Sequence, residues 1–179
     1  MIILSAAALA AGVPAVPGAT NPAVTQDNLE KTICNKTLYG VDGQPVPLDE
    51  AGKPTEPGFT WVHWQRPPTS YTNAIKYQLM DAAGIPRSQS GKFELDHRDA
   101  IEDAGDPKSK FNLWLQPWTG AWNAHMKDAL ENFIHRQICD GSIKMINGKP
   151  TFMGKMSLAQ GQAVFLGDWR ISYTKFIAK

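Results

Sequence analysis

From Trp122 to Cys139 the apolar residues Met126, Leu130, Ile134 and Ile138 recur every four positions, with Phe133 widening the stripe. That period predicts an amphipathic helix over 122–139, ended by Asp140-Gly141. Just upstream, Phe93 and Leu95 alternate with Lys92 and Glu94 as in a strand, and Phe111 to Leu115 predicts a second strand. Gly105-Asp106-Pro107 reads as a turn between them rather than a domain boundary. Strand, loop, strand and helix over about 93–139 place the chain in the α+β class, with this unit embedded in a small mixed domain.

The flanks carry weaker signals. Thr25 to Cys34 predicts a short helix capped by Thr25, and residues 39–59, rich in Gly, Pro, Asp and Glu, read as a loop. Thr60 to His63 alternates around Trp61 as a short strand does. A helix follows from Thr69 or Ser70 through Ala82, with Ala74, Ile75 and Leu79 on one side and Gly84 closing it. Asn147-Gly148 predicts a type I′ hairpin over 144–152, and a last helix is expected from Ser157 past Phe165 and Trp169 toward Tyr173.

A chain of 179 residues is of single-domain size, and 42% hydrophobic with 20% charged residues is the composition of a protein with a packed core. A net charge of +1 argues against a long grip on nucleic acid by counterion release, so any such contact must be local. Residues 1–19 contain no charged side chain and have an apolar run from Ile2 to Val13, the size of a signal-peptide core and too short to span a bilayer. This predicts export to periplasm or medium, without stable membrane insertion and with cleavage after Ala15 or Ala19; residues 20–179 are then one domain. The two cysteines, Cys34 and Cys139, suit a disulfide in an exported protein, the alternative being two buried free thiols.

The chemistry-bearing residues fall in an order. Asp96 and His97 are adjacent at the end of the first strand, Asn112 follows fifteen residues after His97, and Asn123 and His125 open the helix. That order resembles the HNH, or ββα-metal, endonucleases. A wider resemblance covers roughly residues 30–170 through TIC, W.RPPTSYTNAIKYQLM, ELDH, NLWLQP, KDALENFIHRQIC.G and L.QGQAVFLGDW. These segments are similar to those of small exported bacterial proteins with an HNH-like core. In that group Asp-His is followed by an apolar-Pro-apolar triplet and a Gly-Gly turn, whereas this chain has Arg98-Asp99-Ala100 and a single Gly105. The group's cysteine pair fits a disulfide between the N-terminal segment and the helix.

The resemblance implies a ββα-metal finger that hydrolyses phosphodiester bonds in DNA, with RNA as the alternative. Asp96 would be a ligand of a divalent ion, Mg²⁺ first and Mn²⁺, Ni²⁺ or Zn²⁺ as alternatives. His97 would be the general base and Asn112 would hold its loop through backbone hydrogen bonds. His125, or else Asn123, would complete the metal site. Arg98, Lys108, Lys110 and Lys127 would contact phosphate, although Lys127 with Glu131 also reads as an i, i+4 pair supporting the helix. Trp114, Trp118 and Trp122 suit core packing better than stacking on unpaired bases. The reading from a different class is a catalytically silent exported binding protein built on the same scaffold; an immunity or envelope partner is left open.

Overall fold

The computed structural model describes Gly12 and residues 14–178, so the predicted leader lies outside the described residues except for Gly12 and residues 14–19. The chain is a mixed α+β protein with two separate two-stranded antiparallel sheets. After a 3₁₀ turn at Gln26–Lys31 come α1 (Trp61–Gln65) and α2 (Thr69–Ala82), then β1 (Phe93–His97), β2 (Leu113–Pro117) and α3 (Ala124–Cys139). The hairpin β3 (Ser142–Ile146) and β4 (Lys149–Met153) follows, and then α4 (Leu158–Leu166) and α5 (Trp169–Phe176). Among the described residues no helix is long and apolar enough to cross a membrane.

β1 and β2 pair so that Asp96 faces Trp114 and His97 faces Leu113. Strand alternation therefore puts Glu94, Asp96, Trp114 and Gln116 on one face and Phe93, Leu95, His97, Leu113 and Leu115 on the other. The second face packs on α2, where Leu115 and Met80 are fully buried with Tyr77, Leu79 and Phe93 around them. The first faces α3, and this polar face is covered as well: Trp114 and Gln116 are inaccessible. The apolar stripe of α3 is spent elsewhere, since Leu130, Ile134 and Ile138 build the main core with Leu29, Phe165 and Trp169.

Cys34 and Cys139 are joined in a disulfide that ties the N-terminal 3₁₀ segment to the end of α3 across a separation of 105 residues. Reducing it is expected to cost about 2–4 kcal/mol by releasing so long a loop in the unfolded chain, read as a lower thermal midpoint with reductant.

Several local expectations are corrected. Thr60 to His63 is not a strand: the Thr60 hydroxyl accepts the His63 N–H at 3.3 Å and starts α1. Pro67 then holds Arg66 in an extended conformation, φ −64° and ψ 130°, and ends it. The second strand begins two residues later than predicted, at Leu113, leaving Phe111 exposed. α3 starts at Ala124 rather than Trp122, because the Asn123 side chain caps it by accepting the Met126 N–H at 3.2 Å. The last helix is two, interrupted at Gly167-Asp168, where the Asp168 carboxylate caps α5 by accepting the Arg170 N–H at 3.1 Å. The Asn147-Gly148 turn has both residues at positive φ, 50° and 75°, as a type I′ hairpin requires.

Candidate functional site

The loop from Arg98 to Phe111 is fastened by one side chain. Asn112, fully buried, accepts the Asp99 N–H on Oδ1 at 2.8 Å and the Ala19 N–H at 3.3 Å. Its Nδ2 donates to the carbonyls of Asp99 at 2.9 Å and Asp106 at 3.0 Å. An amide with one acceptor and two donor hydrogens is suited to stapling two strands of backbone at once. The loop also turns at Gly105, where any Cβ would lie 1.8 Å from the Asp99 carbonyl oxygen, so only glycine fits.

This staple delivers the Pro107 carbonyl to His97, whose Nε2 lies 3.1 Å from it. A carbonyl only accepts, so Nε2 carries the hydrogen and Nδ1 holds the lone pair. Burial lowers the His97 pKa below its ordinary value, outweighing the Pro107 carbonyl and Asp96, which raise it. The imidazole is thus neutral at neutral pH, with one nitrogen ready to take a proton.

Asp96 is buried on the opposite face. Its Oδ1 accepts the His97 backbone N–H at 2.7 Å, and its Oδ2 lies 2.9 Å from Lys127 Nζ. Lys127 is fully buried, donates to the His97 carbonyl at 2.7 Å, and pairs with Glu131 one turn on. Burial alone would lower its pKa, but Asp96 and Glu131 together hold it above the ordinary lysine range. A cavity of about 70 Å³ opens here, lined by Glu94, Asp96, His97, Glu102, Asp128 and Glu131, with Arg66 at its edge. Burial pushes Glu94 up to about 7, helped by Asp96 and Asp128, and pushes Glu131 up to about 8 against the pull of Lys127. Glu94 Oε2 and Glu102 Oε1 are buried without a hydrogen-bond partner among the described residues.

The other expected site residues separate from this centre. Asn123 is used as the cap of α3, its Nδ2 donating to the Gly120 carbonyl at 2.8 Å. His125 is exposed and its ring tilts on Trp118 with centroids 5.2 Å apart; neither it nor Asn123 lines the cavity at Asp96. Arg98 is not directed at a ligand: its guanidinium donates to the carbonyls of Phe165 at 3.0 Å, Gly167 at 3.3 Å, Leu166 and Val16, and so ties the end of α4 to the N-terminal segment. Lys108 and Lys110 are exposed on the loop. Trp114 is core, while Trp118 is half-buried and lines an open groove beside His97. Residues the sequence did not single out are Glu94, Glu102 and Arg66; an exposed arginine next to two prolines carries no local sign of a site.

The loop beyond the cavity buries two more carboxylates. Asp99 and Asp103 are inaccessible, and none of their carboxylate oxygens has a hydrogen-bond partner among the described residues. Burial pushes Asp99 up to about 8, against Lys127 and Arg98, and drives Asp103 well above its ordinary value with Glu102, Glu131 and Asp99 adding to the rise. Both folded-state pKa values exceed the unfolded ones, so the folded chain binds more protons and stability falls as pH rises toward the folded values. His97, lowered, acts only below about pH 6.5, so the range from about pH 6.5 to 9 isolates the carboxylates. The thermal midpoint is expected to fall across that range, and Asp103→Asn to flatten the fall.

Among the described residues no group of three His, Cys, Asp or Glu side chains is arranged to hold a metal ion. A hydrated ion of the Mg²⁺ type, which needs only one or two protein carboxylates, would have to draw them from Glu94, Asp96, Glu102, Asp128 and Glu131 of the cavity lining. No protein-family model, curated protein or solved structure matches this chain.

Proposed function

We propose that the chain is a metal-dependent nuclease of the HNH type that hydrolyses phosphodiester bonds in DNA, with β1, β2 and α3 acting as its ββα-metal finger. The observation that carries this reading is the hydrogen bond from His97 Nε2 to the Pro107 carbonyl, which leaves Nδ1 as the proton-accepting nitrogen of a residue that lines the cavity with Asp96. His97 takes the proton of the attacking water through Nδ1, and the Pro107 carbonyl stabilises the imidazolium that results. Asn112 acts through His97 by holding the loop that carries Pro107. Asp96, with Glu94 or Asp128 across the cavity, would hold the divalent ion, and the bound ion supplies charge relief at the scissile phosphate. Export to the periplasm or medium accords with the disulfide.

One observation favours a second reading, a catalytically silent exported binding protein. Lys127 Nζ already sits on Asp96 and Glu131, a fixed cation beside the place a metal would take. Incubating the oxidised chain with supercoiled plasmid in Mg²⁺, Mn²⁺ or chelator separates the two. Metal-requiring nicking is expected; an intact plasmid in every divalent ion, with no binding of Mg²⁺ or Mn²⁺ by calorimetry, selects the silent scaffold.

A further inference from the structure

His97 opens on two sides. Away from the carboxylate cavity it borders a groove of about 360 Å³ between α2 and the edge of β1, whose walls include Arg66, Thr72, Asn73, Lys76 and Trp118. The groove shares Arg66 and Glu94 with the cavity and adds Lys76 and one half-buried indole, so two cations and a single carboxylate line it beside His97.

Each wall offers something a nucleotide uses. The exposed Arg66 guanidinium makes no hydrogen bond or ion pair among the described residues and acts only through space on Glu94, Glu102 and Asp128, so its donors can turn to a phosphate. Lys76 spends one of its three ammonium hydrogens on the Phe93 carbonyl at 2.7 Å and keeps two. Trp118 is held by its backbone N–H on the Lys92 carbonyl at 3.0 Å and is supported by the His125 ring at 5.2 Å, leaving it a fixed stacking plate at the groove's wall. This volume belongs to the size class of a small-ligand site and is far below the broad surface a duplex occupies. Two cations also provide little counterion release, whereas duplex binding by that route draws on several phosphate contacts. A stacked base compensates, and a base can stack on a side chain only when unpaired.

We propose that this groove is the substrate cleft and that it selects a single-stranded segment, with one unpaired base on Trp118 and the adjoining phosphates on Arg66 and Lys76. The proposal rests on the nuclease reading for what happens next at His97, but the binding it describes is measurable without cleavage.

The test uses a fluorescein-labelled single-stranded DNA oligonucleotide and the same sequence as a blunt duplex, with binding followed by anisotropy in chelator and cleavage followed in Mg²⁺. The single strand is expected to bind more tightly than the duplex, with a salt slope of about −1 to −2, as two phosphate contacts imply. Trp118→Ala is expected to weaken single-strand binding about tenfold or more, and Trp118→Phe, which keeps a ring, to restore most of it. Arg66→Ala weakens it as well and makes the slope shallower by about 0.7. Single-strand binding by Trp118→Ala equal to that of the wild type, with both proteins melting at the same temperature, overturns the proposal, and so does a duplex bound as tightly as the single strand. Trp118-dependent binding without cleavage upholds the groove and overturns the nuclease reading; duplex cleavage indifferent to Trp118 does the reverse.

Discussion

Replacing Lys127 by alanine is expected to destabilise the fold by about 3–5 kcal/mol, the loss seen when one partner of a buried ion pair is removed. The ammonium is fully buried and answers three acceptors, the carboxylates of Asp96 and Glu131 and the carbonyl of His97. Without it two carboxylates share a poorly solvated space with no counterion, and the His97 carbonyl loses its donor. The alkyl stem also leaves a void beside the Phe165 ring, whose centroid is 5.3 Å from Nζ. Glu131→Gln is expected to cost less, because the ammonium keeps Asp96. Urea denaturation of the three proteins checks the order; a Lys127→Ala protein within about 1 kcal/mol of the wild type contradicts this picture of the polar layer.

The second large effect is on rate. His97→Ala is expected to slow DNA cleavage by about 10²–10⁴-fold, the usual contribution of a positioned general base. The fold should survive, because four hydrogen bonds of the Asn112 amide fix Asp99, Asp106 and Ala19 whether or not the imidazole is there, while the lost bond to the buried Pro107 carbonyl costs about 1–3 kcal/mol. Asn112→Ala therefore provides the contrast, lowering the melting temperature further as well as the rate. Since burial lowers the His97 pKa below its ordinary value, the base form persists through neutral pH, and wild-type cleavage is expected to fall only as pH drops through that lowered value.

Periodicity made the outline of this unit legible. The four-residue step of Met126, Leu130, Ile134 and Ile138 announces α3, and Asn147-Gly148 announces the second hairpin, because both signals are local and one conformation satisfies them. The polar layer was hidden for a definite reason. Alternation says that Glu94 and Asp96 share a face, but not that α3 covers that face, and a charged face is ordinarily the solvated one. Lys127 and Glu131 read for the same reason as a surface helix pair, although Lys127 is fully buried on Asp96 and Glu131 is largely covered beside it. Arg98 and Arg66 exchange the roles their positions suggest. The arginine next to His97 is consumed by carbonyls of α4 some 67 to 69 residues away, and the one beside Pro67 is left facing the groove. No signal within a few residues of either predicts this, since tertiary contacts decide which guanidinium is spent.

His97 is the residue on which cleavage depends, and the most direct measurement is cleavage of supercoiled plasmid by the oxidised wild-type and His97→Ala proteins side by side, in Mg²⁺ and in chelator, with melting curves for both. The predicted result is nicking by the wild type that requires the metal and is lost in a His97→Ala protein that still melts cooperatively, at a somewhat lower temperature. Undiminished nicking by His97→Ala, or none by the folded wild type in any divalent ion, contradicts it.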